Sequence, residues 1–383
     1  MSDLRVHYEV RFAGRKLSPA PFSVSFERAV SHNTVATVRA LYPEALPMRY
    51  RPQLPAAGTP VEVQWGIAPA QLRTWWGYVH HSRPDHDHPE GPGMEAVSYV
   101  LAGTGHAMET QRTKDWRKIT DSGIALKIAE DYGLSAVVHK TTRIHPYLLQ
   151  PGVSDLDWLR LRAREVGRRV HVENGVLYFV DPASLAMART SRALPVKMDK
   201  GRDGEAVVNV EPLYGTLVPR AGKQARRDLT GFDLDTNRLI NAKQTPGKPS
   251  PDFVARDTAI TSPTDLYTNA QALSVEHEEW LHATMQIKHL SDVEHLPGQL
   301  VNLTGKAVSP QMHGTWLITE AAHHLESRLV SKLGTRRFDS SLTLSRNTDQ
   351  GFQMRDRRAP RVDDGCMLSG GRWRARNRQV VIL

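Results

Sequence analysis

Residues 154–180, SDLDWLRLRAREVGRRVHVENGVLYFV, decide the fold, because the hydrophobic period changes inside them from helical to strand-like. Ser154 stands where a helix N-cap is wanted, and Asp157, three residues on, supplies a carboxylate in the manner of a capping box. Leu156, Leu159, Ala163 and Val166 then fall on one apolar face, Gly167 closes the helix, and Arg160, Arg162 and Arg164 are expected to point mostly outward. Two strands follow, Val170 to Glu173 and Val176 to Val180, joined by Asn174-Gly175, the strongest short hairpin signal.

Upstream, Ile124, Ile128 and Tyr132 recur every fourth residue with Leu126 and Ala129 beside them. Thr120, Asp121 and Ser122 offer N-caps, and Gly133 offers a left-handed C-cap, so a first helix precedes the second. Residues 114–186 therefore read as a compact α+β module. Before it, period two at Val6, Tyr8, Val10 and Phe12, at Phe22, Val24 and Phe26, and at Val61, Val63 and Trp65 marks residues 1–113 as a β domain. The stretch from Trp75 to Val79 adds one more strand to it.

After the module, alternation resumes at Val208, Val210 and Leu213 and again at 285–289, 300–303, 315–319 and 342–344, which makes residues 187–350 a second β domain. Residues 245–265, with Pro246, Gly247, Pro249, Pro251 and Pro263, read as a long exposed loop, and a helix is expected around 270–281. The tail, 351–383, carries Arg355, Arg357, Arg358, Arg361, Arg372, Arg374, Arg376 and Arg378 around Trp373. It reads as a solvated extension unable to build a core, dispensable for folding and ordered on a partner through Arg372, Trp373, Arg374 and Arg376.

A chain of 383 residues is long enough for two or three domains. Its 50 Lys+Arg against 41 Asp+Glu give a formal charge of +9, which suits an acidic protein partner or a nucleic acid. The one cysteine, Cys366, excludes an intramolecular disulfide and a cysteine-based zinc site. The charged start MSDLRVHYEV lacks a secretory core and no apolar run approaches about 18 residues, so a chain made and kept in a cytoplasm, without a membrane segment, is expected.

His80, His81, Asp85, His86, Asp87 and His88 are metal-ligand types, but Pro84, Pro89, Gly91, Pro92 and Gly93 among them describe a solvated hairpin loop, and no metal site is assigned. His277 and His282 are five apart, whereas two ligands on one helix face need a spacing of four. His323 and His324, adjacent on a strand, face opposite sides, and with His313 they read as structural. Asp85 with Glu90 and Asp155 with Asp157 are pairs only in sequence; no nucleophile elbow or Walker-type loop occurs, and Cys366 has no obvious base. No catalytic, cofactor or metal residue is assigned, and the chain is not expected to be an enzyme.

The ordered set of these elements resembles the phage late control D family. The helix and hairpin of 154–180, the preceding IALKIAEDYGL of 124–134, then LPGQLVNLTG of 296–305, the Gly314-Thr315-Trp316 triplet and the strand-borne His323-His324 carry the resemblance, in order, through roughly residues 1–348. It implies a mainly β chain with an α+β insertion: two β-barrel-like domains, 1–113 and 187–350, and a peripheral α+β domain, 114–186. It further implies a baseplate or tail-tip hub of a tailed phage or phage-derived injection machine, a homotrimeric ring around a central channel. A distal tail or tail tube protein would sit above it and a spike or fibre below, and DNA and tape-measure protein would cross the channel without sequence-specific binding. The place would be the virion tail, assembled in the host cytoplasm. The Pro-rich segment and the tail fall outside the shared pattern, and the long β-needle of type VI secretion spikes is missing. The alternatives are a tail-associated cell-wall hydrolase, which has no constellation of residues behind it, and a nucleic-acid-binding protein using the tail arginines with Trp373.

Overall fold

Period-two alternation in the first segment becomes seven strands: β1 (Arg5–Phe12), β2 (Arg15–Lys16), β3 (Pro21–Ala29), β4 (Val35–Pro43), β5 (Pro60–Ala68), β6 (Gln71–Asp85) and β7 (Met94–Gly103). The middle of the chain forms β8 (Gln111–Ile119), α1 (Asp121–Asp131), β9 (Ser135–Val138), β10 (His145–Ser154), α2 (Asp155–Glu165), β11 (Arg169–Glu173) and β12 (Val176–Val180). There follow β13 (Leu194–Lys197), β14 (Val210–Leu213), β15 (Arg227–Asp233), β16 (Arg238–Gln244), β17 (Phe253–Arg256), β18 (Leu281–Ile287), β19 (Leu300–Thr304), β20 (Gly314–Ser327) and β21 (Arg336–Arg346). The last strands are β22 (Cys366–Ser369), β23 (Arg372–Ala375) and β24 (Val380–Ile382). The structure, a computed structural model, describes residues 5–18, 21–30, 32–43, 54–68, 71–85, 94–181, 185, 193–197, 210–213, 227–233, 238–244, 253–256, 281–287, 293–306, 310–327, 336–346 and 362–383. His86, Asp87, His88, residues 270–280 of the helix expected around 270–281 together with His277, and the arginines from 355 to 361 lie outside the described residues, and Leu281 itself begins a strand.

Strands from both ends of the chain share one sheet of 13 strands, in the order β14-β18-β21-β20-β3-β4-β7-β6-β5-β1-β2, with β19 on β20 and β13 on β19. The strand that permits this is β20. Its 14 residues extend about 46 Å at roughly 3.3 Å each, enough to seat two strands end to end along one side. β19 takes the first half, from Leu303↔Gly314 to Leu300↔Leu317, and β3 takes the second, from Glu320↔Ala29 to Glu326↔Ser23. β21 lines the other side.

The β3 half of this sheet curls over a core of Phe26, Trp65, Trp75, Tyr99, Leu325 and Phe338, so residues of the last third of the chain complete the core begun by the first. β1 comes back alongside β21 without pairing to it. A barrel closes only when its first strand pairs with its last. Among the described residues that pairing is missing, so neither expected barrel is closed, and strands of both segments lie in one open sheet. A second core, with Met285, Leu303, Trp316, Ile318, Leu342 and Leu344, fills the β19–β21 half.

In the middle module α1 and α2 pack on a four-stranded sheet, β11-β12-β9-β24, around Ile124, Ile128, Leu156, Leu159, Leu177 and Phe179. Both caps form as their spacing dictates: Thr120 Oγ1 accepts from Gly123 N at 3.0 Å and Ser154 Oγ accepts from Asp157 N at 3.1 Å. Asn174 and Gly175 take positive φ, 49° and 77°, as a two-residue hairpin turn requires. Arg162 departs from expectation. It is buried, because its guanidinium donates to Asp121 at 2.8 Å beneath the helices, where His145 Nε2 also meets the same carboxylate at 3.0 Å. Burial alone would raise the Asp121 carboxyl; the hydrogen bond from His145 and the charge of Arg162 outweigh it and hold it below its usual value.

Two further expectations are corrected. Part of the Pro-rich segment is a strand, β17, which runs parallel to β15. The tail from 362 onward is folded: β22 and β23 form a hairpin, and β24 adds to the module's sheet through parallel pairing with β9. Among the described residues no helix is long and apolar enough to cross a membrane.

Leu159, fully buried between α2 and the sheet, tests the phase of that helix. Leu159→Asp puts an unpaired charge in the core and is expected to cost at least about 3–5 kcal/mol, read as a fall in the denaturant midpoint. An unchanged midpoint would mean the helix presents another face.

Candidate functional site

The module, the large sheet and the C-terminal hairpin meet along one seam. At its centre the Asn174-Gly175 turn is pressed onto β6. Asn174 Oδ1 accepts from Trp76 N and its amide donates to Thr74 O, both at 3.4 Å, while Gly175 N donates to Thr104 Oγ1 at 3.3 Å. Glycine is required at 175 twice over: φ is positive, and a Cβ would lie 2.8 Å from Cys366 Sγ.

Beside the turn lies a buried polar centre. Arg28 of β3 pairs with Glu173 of β11 at 3.3 Å, with 2% and 4% of the side chains exposed. The guanidinium also lies over the rings of Phe26 and Trp65, 4.6 and 4.8 Å from their centroids, an arrangement that favours a desolvated cation. His171 Nε2 reaches the other Glu173 oxygen at 3.4 Å. His323 of β20 stands in the aromatic layer next to them, edge-on to Trp65 at 5.0 Å and tilted on Phe338 at 5.9 Å. Burial first, then the positive charges of Arg28 and His295, hold its imidazole well below the usual histidine range, with Glu173 pulling weakly the other way.

The C-terminal hairpin covers the seam from outside. Trp373 Nε1 donates to Gly77 O at 2.7 Å, Trp373 N donates to the Tyr78 hydroxyl at 2.8 Å, and Trp76, Tyr78, Cys366 and Trp373 pack together. Burial pushes the Cys366 thiol strongly up. Of the four residues read as partner contacts, Trp373 is therefore used inside the chain, since its indole fills the gap over β6. Arg372, Arg374 and Arg376 alternate with the inward Trp373 and Ala375 and are exposed together on the opposite face.

The other histidines are placed differently. A register shift between Val79 and His81 turns His80 and His81 to one side, with their Nδ1 atoms 2.7 Å apart. His106 adjoins His80 and is raised by the hydrogen bond it donates to Glu109 at 2.5 Å. Among the described residues no group of three or more His, Cys, Asp or Glu is placed to hold a metal. His323 is 1% exposed whereas His324 is an exposed neighbour of Glu326, the opposite facing that strand geometry requires. The residues that sequence reading missed are Arg28 and Glu173. The available signal was an arginine two places after Phe26 on an alternating strand, an inward position for a charge.

Removing one partner of the Arg28–Glu173 pair strands a charge in the core. Glu173→Ala is expected to cost about 3–5 kcal/mol of unfolding free energy, whereas Arg28→Met with Glu173→Leu is expected to recover most of that loss. Chemical denaturation of both variants decides it; equal losses in the single and the double variant would sink the uncompensated-charge account.

Against known proteins, one family matches in sequence, the Alg8 N-terminal domain, over residues 103–192, well under half of the chain; it is not the late control D family. No curated protein matches in sequence. Among solved structures, a tail protein from Neisseria meningitidis MC58 is similar with a TM-score of 0.62 at 12% identity, over 90% of this chain and 99% of that one. The 43 kDa tail protein of prophage MuSo2 from Shewanella oneidensis is similar with a TM-score of 0.60 at 11% identity, over 91% and 100% of the two chains. The c3393 protein of E. coli, a type VI secretion component described as similar to the T4 bacteriophage tail proteins gp27 and gp5, follows with a TM-score of 0.54 at 11% identity, over 92% and 79%. The chain has the fold of phage tail proteins.

Proposed function

We propose that this chain is the structural hub of a phage-type tail tip, a trimer whose subunits form a ring around the central channel. The observation that carries this reading is the extent of the likeness: nine tenths of the chain superposes on the whole of a prophage tail protein. Residues 1–113 and 187–350 would be the two ring-forming halves, 114–186 the peripheral domain, and 351–383 the clasp between them. A distal tail or tail tube protein would stack on one side and a spike or fibre on the other, and DNA and tape-measure protein would pass through. The part played would be geometric: three subunits, each with two ring-forming halves, would present six positions to a sixfold tube and three to a threefold tip.

The arginine face of β23 is the surface we assign to a neighbouring tail component. Arg372 and Arg374 stand on a strand whose other face is anchored and Arg376 follows it directly, its backbone N–H donating to Gly365 O at 2.8 Å, so the charges are held together and fit an acidic protein surface. The cell-wall hydrolase and nucleic-acid readings have no comparable geometric support.

Electron microscopy of the purified protein, classified by symmetry, is expected to give threefold rings with an open centre; compact monomers at all concentrations, with or without the adjoining tail proteins, would overturn the hub reading. Substituting Arg372, Arg374 and Arg376 together by Glu is expected to leave the thermal midpoint within a few degrees, since surface changes cost under about 0.5 kcal/mol each. The same variant is expected to lose co-assembly with its tail neighbours, and undiminished co-assembly would remove this face from the interface.

A further inference from the structure

Among the described residues, His323 is the imidazole of this region with neither ring nitrogen used in a hydrogen bond. It is 1% exposed. Its position matters as much as its isolation. It lies directly opposite Phe26 in the β3–β20 ladder, which spans seven residues on each strand. That ladder is the strand pairing through which, among the described residues, the N-terminal and C-terminal parts of the large sheet are joined.

Every charged group facing His323 is accounted for by another partner or is itself positive. From β3 comes Arg28, paired with Glu173 at 3.3 Å. From β6 comes Arg73, paired with Glu294 at 2.8 Å and Asp364 at 3.3 Å. From the turn before β19 comes His295, and from β11 comes Glu173, which is already shared between Arg28 and His171. β5 and β21 contribute only the rings of Trp65 and Phe338. A proton on His323 would thus meet two guanidiniums, a second imidazole and a carboxylate already engaged, inside an aromatic layer that cannot solvate it.

We propose that His323 is an acid-sensitive catch on the β3–β20 seam: taking up a proton opens this ladder while the β4–β7 sheet on one side and the β20–β21 pair on the other hold. The direction follows from linkage. The closed state keeps the ring neutral to well below the ordinary histidine range, whereas a solvated histidine takes a proton near pH 6.5. The stabilisation of the closed seam is complete above about pH 6.5 and falls as the pH drops below it, by about tenfold in the opening equilibrium per pH unit. The inference concerns the chain's own strands and does not depend on which tail partners it meets. In a ring of such subunits it would let acidification loosen each subunit at the same place.

Hydrogen exchange on the full chain at pH 7.5 and pH 5.0, corrected for intrinsic rates, tests it. In the wild type the amides of 23–29 and 320–326 are expected to lose about thirtyfold in protection between pH 7.5 and pH 5.0, with much smaller losses at 96–102 in β7. In His323→Phe, which keeps a ring in the aromatic layer and cannot titrate, the seam amides are expected to lose no more than the β7 control. Equal losses in wild type and variant, or a loss spread evenly over all strands, would overturn the proposal. Should His323→Phe not fold, His323→Leu serves in its place. Independently, a nitrogen-15 titration of the wild-type histidines is expected to show His323 neutral at pH 5.5, and an ordinary titration near pH 6.5 would overturn the proposal whatever the variants do.

Discussion

The buried ion pair of Arg28 and Glu173 is the constraint around which the rest of the molecule is arranged, because it ties together strands more than a hundred residues apart in the chain. A salt bridge taken out of water gains little net stability, since desolvation of both ions offsets most of their attraction. Its effect is selective. Any other placement of the module on the sheet would leave one of the two charges buried and alone, at a cost of several kcal/mol, so the pair discriminates strongly against wrong docking even where it adds little to the right one. The rings of Phe26 and Trp65 under the guanidinium, and His171 on the carboxylate, supply the further contacts that make the burial tolerable.

The second organising feature is a matter of backbone length. A strand of ordinary size pairs with one neighbour on each side; β20 is long enough to carry two neighbours on the same side, and one of them is β3 from the far end of the chain. This turns what would be two β domains into one continuous sheet with two cores. Motion of one half against the other is then resisted by a ladder of backbone hydrogen bonds, a more rigid joint than a linker between separate domains. A histidine with no partner in the middle of it stands out for the same reason.

The C-terminal hairpin shows how composition can mislead. Eight arginines in 33 residues read as a chain too polar to fold on its own, and by itself the segment has little core. Its apolar residues are completed by others: Trp373 by Gly77 and Tyr78, Cys366 by Gly175 and Trp76, and β24 by β9. Arg372, Arg374 and Arg376 alternate with the inward Trp373 and Ala375 and remain on the water side, an ordinary pattern for an edge hairpin once the surface beneath it exists.

Local physics made the middle module legible from its residues alone. The caps at Thr120 and Ser154, the four-residue spacing of Ile124 and Ile128, and the Asn174-Gly175 turn depend on neighbours a few places away, and they stand where their spacing put them. Most strands were legible for the same reason. What the tertiary structure alone decided was which strand lies beside which, and therefore where the charges go. Nothing within reach of Arg28 along the chain announces Glu173, nothing near Arg162 announces that Asp121 and His145 will draw it inward, and nothing near Trp373 announces β6. Period and capping are set by contacts between residues a few positions apart, whereas pairing a strand at residue 25 with one at residue 323, and neutralising a buried charge, are set by contacts that exist only after the chain has closed on itself.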